Sequence, residues 1–207
     1  MPFYELEYKN IKYLYAVPEN AGDGPWPTVL FLHGAGSRGA DVSVLREKTI
    51  SRYYLAKKPG FVLIEPLCSA DTWFDIFEQL MDFTAYIRSL PFVDEKRLSV
   101  TGNSMGGYAC WQMAMSRPDW FCAAAPVCGG GMYWNAEKLR DMPVWAFHGA
   151  LDDVVFPEES MKMVDAVNAA GGNARFTLYP DWAHDSWEPA YSDDELYRFL
   201  TMQDGCN

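Results

Sequence analysis

Hydrophobic positions along the chain fall into short segments of two kinds. Near the N-terminus, apolar and polar residues alternate in Phe3–Tyr8 and Ile11–Val17, and only Lys9-Asn10 separates the two segments. Alternation of this kind is typical of half-buried strands, and the short connection predicts an antiparallel hairpin. Later segments are continuously apolar, which predicts strands buried on both faces. These runs are Thr28–Leu32, Phe61–Glu65, Leu98–Thr101, Cys122–Val127, Val144–Phe147 and Arg175–Tyr179.

Segments with helical spacing lie between the apolar runs. They are Val44–Lys57, Ile76–Ser89, Met105–Ser116, Glu158–Ala170 and Ser192–Met202. Strands that alternate with helices favour right-handed crossovers, a mostly parallel sheet and helices on both of its faces. The sequence therefore predicts an α/β protein with about eight strands, in which the hairpin supplies an antiparallel edge. Because no repeat or linker interrupts the pattern, we expect a single domain over residues 1–207.

Charge and hydropathy exclude several classes of function. The chain has 207 residues and a formal net charge of -11, and it contains no cluster of Lys and Arg. Nucleic-acid binding depends on such clusters, so we expect no nucleic-acid partner. The N-terminal residues have neither the pattern of a signal peptide nor an uncharged run long enough to span a bilayer. We therefore expect a cytoplasmic protein without a membrane partner.

The five cysteines do not indicate a disulfide framework. They are widely spaced in a chain large enough to fold without disulfides. We therefore expect all five to be reduced thiols, among them Cys68, Cys110 and Cys206. The other two, Cys122 and Cys128, flank a predicted buried strand, and no histidine is close to them in sequence. Core packing is the better interpretation, and we predict no metal site.

Gly102–Gly106 reads Gly-Asn-Ser-Met-Gly between a predicted strand and a predicted helix. Alone, this pattern also fits a turn of small residues that lets a helix pack closely on a sheet. In this context it indicates a nucleophile elbow, a sharp turn in which glycines avoid clashes and the Ser104 hydroxyl is exposed at the helix N-terminus. We predict that Ser104 is the nucleophile.

A His-Gly-Ala-Gly loop follows the strand Thr28–Leu32. Such a loop turns a backbone N–H towards the serine, so Ala35 and Met105 are the expected amide donors of an oxyanion hole. His33 lies before the turn, where bracing the loop suits it better than proton transfer.

The base and the acid are expected after the last two strands. His33 and His148 each belong to a His-Gly pair at a strand end, which leaves His184 as the histidine in a loop free to reach the serine. Asp152 or Asp153 could orient its imidazole, and Asp152 is preferred because it comes first in the turn. The chain order nucleophile, acid, base is the one expected on this type of sheet.

Four segments together resemble a known family: "LFLHGAG", "TGNSMGGY", "WAFHGALDDVV" and "AHDSW". They are similar to α/β-hydrolase serine esterases of the phospholipase/carboxylesterase group, relatives of feruloyl and acetyl esterases and, more distantly, of dienelactone hydrolases and prolyl oligopeptidases. The resemblance implies the α/β-hydrolase fold, with Ser104 as nucleophile, Asp152 as acid and His184 as base. Dienelactone hydrolases carry a cysteine nucleophile where this chain has serine, and the propeller of prolyl oligopeptidases is missing.

We therefore expect a cofactor-independent serine carboxylesterase whose partner is a small-molecule ester. A peptidase or amidase of the same fold and a catalytically silent binding protein remain the alternatives. Trp73 and Trp134 are predicted to contact substrate, whereas Trp187 is expected to support the histidine loop. The segment Cys128–Pro143 is too short for a lid domain, so soluble short-acyl, sugar or phenolic esters are the expected substrates.

Overall fold

The computed structural model of the protein describes residues 3–18 and 24–202. Its strands are β1 (Tyr4–Tyr8), β2 (Ile11–Ala16), β3 (Trp26–Leu32), β4 (Val62–Pro66), β5 (Val93–Asn103), β6 (Ala123–Val127), β7 (Val144–Gly149) and β8 (Ala174–Tyr179). Each predicted strand is present, and most boundaries differ by one or two residues. β5 is the exception, because it begins five positions earlier than its apolar run, at Val93.

The eight strands form one sheet in the order β1-β2-β4-β3-β5-β6-β7-β8. β1 pairs with β2, and β2 with β4, in antiparallel fashion, and all the other pairs are parallel. Tyr8 is opposite Ile11 in the hairpin, so the predicted two-residue turn is confirmed. Since β3 and β5–β8 run in one direction, the loops that follow them meet at a single edge of the sheet.

Helices cover both faces of the sheet. They are α1 (Thr49–Lys57), α2 (Phe77–Arg88), α3 (Met105–Ser116), α4 (Glu158–Ala169), α5 (Trp187–Ala190) and α6 (Asp194–Leu200). Buried side chains of α2, α3 and α4 belong to one core cluster, and those of α1 and α6 belong to a second cluster. The mostly parallel α/β architecture with helices on both faces is confirmed.

One predicted helix is interrupted. The spacing predicts a continuous helix over Val44–Lys57, but the structure has a 3₁₀ helix at Val42–Glu47 and then α1. Lys48 separates them with an extended backbone, ψ 150°. The side chain of Asp41 accepts a hydrogen bond from the Ser43 amide and starts the first turn earlier than predicted. Apolar spacing does not reveal such a break, because both pieces present buried residues to the same core.

The segment that follows β6 contains no lid domain. It forms a loop and a 3₁₀ helix at Tyr133–Leu139 before β7 begins, as predicted. Cys68, Cys110, Cys122 and Cys128 are not in disulfides, while Cys206 lies outside the described residues. None of the helices within residues 3–18 and 24–202 is both long and apolar enough to cross a membrane.

Candidate active site

Ser104 occupies the sharp turn between β5 and α3. Its backbone has φ 55° and ψ -119°, a conformation that residues with a side chain rarely adopt. The turn requires glycine at position 106, because a Cβ there would collide with the carbonyl of Leu32. At Gly102, a Cβ would lie 2.6 Å from the oxygen of the same carbonyl. The predicted reason for the two glycines is therefore visible in the packing.

Ser104, His184 and Asp152 form a hydrogen-bonded array. Nε2 of His184 lies 2.9 Å from Oγ of Ser104, and Nδ1 of the same ring lies 2.8 Å from Oδ2 of Asp152. The three residues come from loops after β5, β7 and β8, which meet because these strands are parallel. In this arrangement the imidazole is able to take a proton from the hydroxyl while the carboxylate fixes its tautomer.

Asp152, and not Asp153, faces the imidazole. The side chain of Asp153 is exposed, whereas Asp152 is only 3% exposed and its Oδ1 accepts the amides of Val154 and Val155 at 3.0 and 2.9 Å. Burial acts to raise the pKa of the Asp152 carboxyl. The hydrogen bonds from His184 and from the two amides outweigh burial, so this pKa lies below its ordinary value.

The loop after β3 brings backbone donors close to Ser104. Ala35 begins a short 3₁₀ helix and Met105 begins α3, so neither N–H has an acceptor within its own helix. Packing at Gly34 is close, since a Cβ there would lie 3.0 Å from the Asn103 amide nitrogen. Both amides are therefore candidates for binding a negatively charged oxygen beside Ser104.

His33 braces this loop. Its Nδ1 donates to the carbonyl of Gly34 at 2.7 Å, and its Nε2 accepts the amide of Cys68 at 2.9 Å. Burial lowers the pKa of His33 to about 4, so the ring is neutral at pH 7. A ring with both nitrogens engaged in backbone hydrogen bonds is suited to holding the loop, in line with the sequence interpretation.

The prediction that Trp73 contacts substrate is corrected. Its side chain is 0% exposed, and its indole N–H donates to the carbonyl of His33 at 3.0 Å. The ring therefore supports the Gly34–Ala35 loop from the core side. Sequence reasoning placed Trp73 at the rim because it lies in a loop, but a loop position does not distinguish an exposed indole from a buried one.

The sequence also predicts roles near the site for Trp134 and Trp187. Trp134 is 71% exposed and is not among the residues that line the cavity beside Ser104, so its contact with substrate stays a prediction. Trp187 packs edge-on against His184, with ring centroids 5.4 Å apart. This contact is consistent with the predicted supporting role of Trp187.

A cavity of about 400 Å³ opens beside Ser104. One wall of this cavity, formed by Thr49, Arg52 and Glu188, is polar. Sequence reasoning missed this polar wall, because it is built by the interrupted helix and by α5. There Glu188 accepts hydrogen bonds from Thr49 at 2.7 Å and from Arg52 at 3.0 Å. The lining residues are Phe31, Gly34, Ala35, Gly36, Ser37, Glu47, Lys48, Thr49, Arg52, Asn103, Ser104, Val154, His184, Trp187, Glu188 and Tyr191.

Within residues 3–18 and 24–202, Cys128 forms a possible metal-ligand group with Asp152 and His184. Its sulfur and the ligand atoms of Asp152 and His184 lie within 4.8 Å of one another. A thiol binds metal as the thiolate, but burial raises the pKa of Cys128 to about 12. The carboxylate and the imidazole are also hydrogen-bonded to each other. These side chains therefore fit a hydrogen-bonded array with Ser104 better than a set of metal ligands.

Comparison with known proteins identifies the family. The model of the dienelactone hydrolase family matches residues 13–194. The chain belongs to this family. Among curated proteins, this family member is similar to Esterase YjfP of Escherichia coli (strain K12), with 24% identity over 228 residues that cover 88% of each protein.

Solved structures of esterases share the fold of the present protein. A thermostable esterase is 32% identical, with a TM-score of 0.84. The match covers 96% of this chain, which spans 62% of the length of that esterase. A ferulic acid esterase is 16% identical with a TM-score of 0.74 over 97% of each chain, a likeness that shows the fold alone. The α/β-hydrolase fold is thereby confirmed, and the family together with the similar esterases indicates a carboxylic ester hydrolase.

Proposed function

We propose that this protein is a serine carboxylesterase that acts through an acyl-enzyme on Ser104. The observation that carries the proposal is the array in which His184 bridges Ser104 and the buried Asp152 by hydrogen bonds of 2.9 and 2.8 Å. In α/β-hydrolases the nucleophile, the acid and the base follow one another in this chain order. Membership in a hydrolase family with esterase relatives supports the same reaction class.

In the first half of the reaction, Nε2 of His184 takes the proton of Ser104 while Oγ attacks the ester carbonyl. The carbonyl oxygen becomes negatively charged and accepts hydrogen bonds from the amides of Ala35 and Met105, which begin their helices and have no acceptor within them. Collapse of the tetrahedral intermediate breaks the bond to the alcohol oxygen, which receives the proton from His184. The acyl group then remains on Ser104.

Water repeats the sequence in the second half. His184 takes a proton from the water as it attacks the acyl-enzyme, and the carboxylic acid leaves when Oγ recovers its proton. During both halves the imidazole passes through a cationic form. The ionised carboxylate of Asp152, which is favoured by the hydrogen bonds from His184, Val155 and Val154, stabilises that cation.

The cavity supports soluble short-acyl, sugar or phenolic esters as substrates. Its volume of about 400 Å³ is near the lower end of the usual range for small-molecule sites. The polar wall around Arg52 and Glu188 is a poor environment for a long alkyl chain, because packing hydrocarbon there would desolvate charged groups.

A fluorophosphonate probe and hydrolysis of p-nitrophenyl acetate test the proposal together. The wild-type protein should be labelled and should hydrolyse the ester, whereas Ser104→Ala should do neither and should keep its circular dichroism spectrum. Loss of the nucleophile is expected to lower turnover by about 10⁴- to 10⁶-fold. Ser116→Ala, at the far end of the same helix, is the matched control. Labelling or near-native turnover of Ser104→Ala would refute the assignment.

The same assay separates the rival functions. An esterase should cleave p-nitrophenyl esters far faster than matched p-nitroanilides, because an amide releases a much poorer leaving group. Comparable kcat/KM values for the two would favour a peptidase or amidase. A wild-type protein that neither reacts with the probe nor hydrolyses esters would be a silent binding protein.

A further inference from the structure

A second imidazole contacts Asp152. His148 is the second-last residue of β7, before Gly149, and its side chain is fully buried, as is that of Asp152. Nε2 of His148 lies 3.2 Å from Oδ2 of Asp152, the same oxygen that is 2.8 Å from Nδ1 of His184. Oδ2 therefore lies between two imidazoles, while Oδ1 is held by backbone amides.

The partners of His148 fix a proton on Nε2. The carbonyl oxygen of Val155 lies 2.8 Å from Nε2, and a carbonyl only accepts, so the nitrogen must donate. The N–H is hydrogen-bonded to Val155, and Oδ2 of Asp152 lies 3.2 Å from the same nitrogen. Burial is the largest influence on His148 and lowers its pKa.

Ser160 sets the orientation of the ring from the other side. Its Oγ lies 2.7 Å from Nδ1 of His148 and 2.7 Å from the carbonyl of Gly129. The hydroxyl has one proton, which it donates to one of these two acceptors. If it donates to Gly129, Nδ1 must also carry a proton to complete its bond with Ser160. Nε2 is protonated in either case.

We propose that His148 is a positioning residue for the carboxylate of Asp152. Its Nε2–H, held in place by Ser160, keeps Oδ2 of Asp152 directed at Nδ1 of His184 while the latter ring gains and loses a proton. The inference rests on the proposed esterase mechanism, in which that carboxylate orients His184. His148 itself does not contact the substrate in this proposal.

A purely structural role for His148 makes different predictions. Hydrogen bonds to Val155 and Ser160 would by themselves satisfy both ring nitrogens of a buried histidine. In that case removing the ring would lower the stability of the fold and leave turnover per folded molecule unchanged. If the N–H positions Asp152, its removal lowers kcat because the transition state requires a correctly oriented His184, while substrate binding is little affected.

Two substitutions at position 148 separate these roles. His148→Gln retains an amide N–H near the place of Nε2, and His148→Met fills similar space without a donor. With p-nitrophenyl acetate we expect His148→Met to lower kcat by about 10- to 100-fold, the usual scale for outer hydrogen-bonding partners. KM should change by less than about threefold, and His148→Gln should recover most of the lost kcat. Wild-type kcat in folded His148→Met, or no recovery in His148→Gln, would overturn the proposal.

Coupling to Asp152 provides a second readout. In an Asp152→Asn background the carboxylate is already lost, so His148→Met should cause little additional fall in kcat. A full, independent loss in the double variant would show that His148 acts elsewhere. Thr84→Val is the matched control for removing a buried hydrogen bond, since Thr84 is fully buried in α2 and its hydroxyl donates to the carbonyl of Leu80. It should lower the melting temperature and leave kcat unchanged.

Nitrogen NMR of histidine tests the proton assignment without activity and without a substitution that risks unfolding. The protein has three histidines. In ¹⁵N-histidine-labelled protein at pH 7, His33 should carry its proton on Nδ1, because that atom donates to the carbonyl of Gly34, whereas His148 should carry a proton on Nε2. An unprotonated Nε2 on His148 would overturn the proposal, since that ring has nothing to donate to Asp152.

Failure of this inference is distinguishable from failure of the esterase mechanism. If Ser104→Ala and Asp152→Asn lose activity while the variants of His148 do not, only the positioning role is wrong. If Ser104→Ala remains active, the proposed mechanism itself is wrong, whatever the behaviour of His148.

Discussion

The indole N–H of Trp73 donates to the carbonyl of His33 at 3.0 Å, so a fully buried side chain holds the loop that carries the candidate oxyanion amide of Ala35. The rings of Trp73 and His33 also pack together, with centroids 5.0 Å apart. Support of this kind matters because an oxyanion donor is effective only when it is fixed before the negative charge develops.

Trp73→Phe should reduce kcat without a large change in KM. The substitution keeps an aromatic ring in the core and removes the hydrogen bond to His33, which loosens the loop around Ala35. We expect a fall in kcat of several-fold to about tenfold, less than the loss of about 10²- to 10³-fold for deleting a donor outright. Steady-state kinetics with p-nitrophenyl acetate measure this effect. Trp120→Phe, at another largely buried tryptophan, is the control and should retain wild-type kcat.

Asp152→Asn should lower kcat far more than Asp153→Asn. The amide would not stabilise the imidazolium of His184 and would favour the wrong tautomer, an effect of about 10⁴-fold in the serine protease triad. Asp153 is exposed, so replacing it leaves the array intact. Comparison of kcat for the two variants at pH 7 is the measurement. The opposite ranking would transfer the role of the acid to Asp153.

Several features of the fold were predictable because they follow from local pattern. Buried parallel strands require apolar runs, and the loop of an elbow requires glycine where Leu32 approaches Gly106. Once the strands are parallel, residues that follow their carboxyl ends converge, so chain order alone brought Ser104, Asp152 and His184 to one edge.

Features that depend on contacts between elements distant in sequence were not predictable. The burial of Trp73, the break at Lys48 and the contact between His148 and Asp152 each depend on how a loop packs against a distant element. Hydrophobic spacing reports the side of a helix that is buried and carries no information about such contacts. For His148, the strand-end position was visible in the sequence, but its partner was not.

Glu65→Gln should make the stability of the fold less sensitive to a rise in pH from about 4.5 to 8. Glu65 is fully buried on β4, and burial raises the pKa of its carboxyl from 4.5 to about 8, against the opposing hydrogen bond with Ser51. Ser51 Oγ lies 2.6 Å from the carbonyl of Leu45 and 2.9 Å from both oxygens of Glu65. A protonated Glu65 completes this network by donating to Ser51 while Ser51 donates to Leu45.

The sign follows from proton linkage. Between about pH 4.5 and 8 the native state holds a proton on Glu65 that the unfolded state has lost, so stability falls as the pH rises through this window. The contribution is fully present below pH 4.5 and is lost above about 8. Thermal melts at several pH values should therefore show a smaller decrease of Tm towards pH 8 for Glu65→Gln than for wild type. Glu7→Gln, at an exposed position on β1, should follow the wild-type curve.

Acyl-chain preference tests the open cavity. The segment between β6 and β7 has only a loop and the 3₁₀ helix Tyr133–Leu139, which is too little to form a cap that opens on a lipid surface. The cavity of about 400 Å³ also meets charged side chains at Arg52 and Glu188, where a long alkyl chain would displace water from polar groups without replacing its hydrogen bonds. Short acyl groups avoid this penalty.

We expect p-nitrophenyl acetate and butyrate to be cleaved with higher kcat/KM than the palmitate ester. Activity should also rise smoothly as substrate concentration passes the solubility limit, because no segment has to be displaced at an interface. Arg52→Leu, which makes the polar wall more apolar, should narrow the difference in kcat/KM between butyrate and longer esters without abolishing acetate hydrolysis. A kcat/KM that increases steadily with chain length, or a sharp activation at the interface, would show that the segment Cys128–Pro143 acts as a lid and that the enzyme is a lipase.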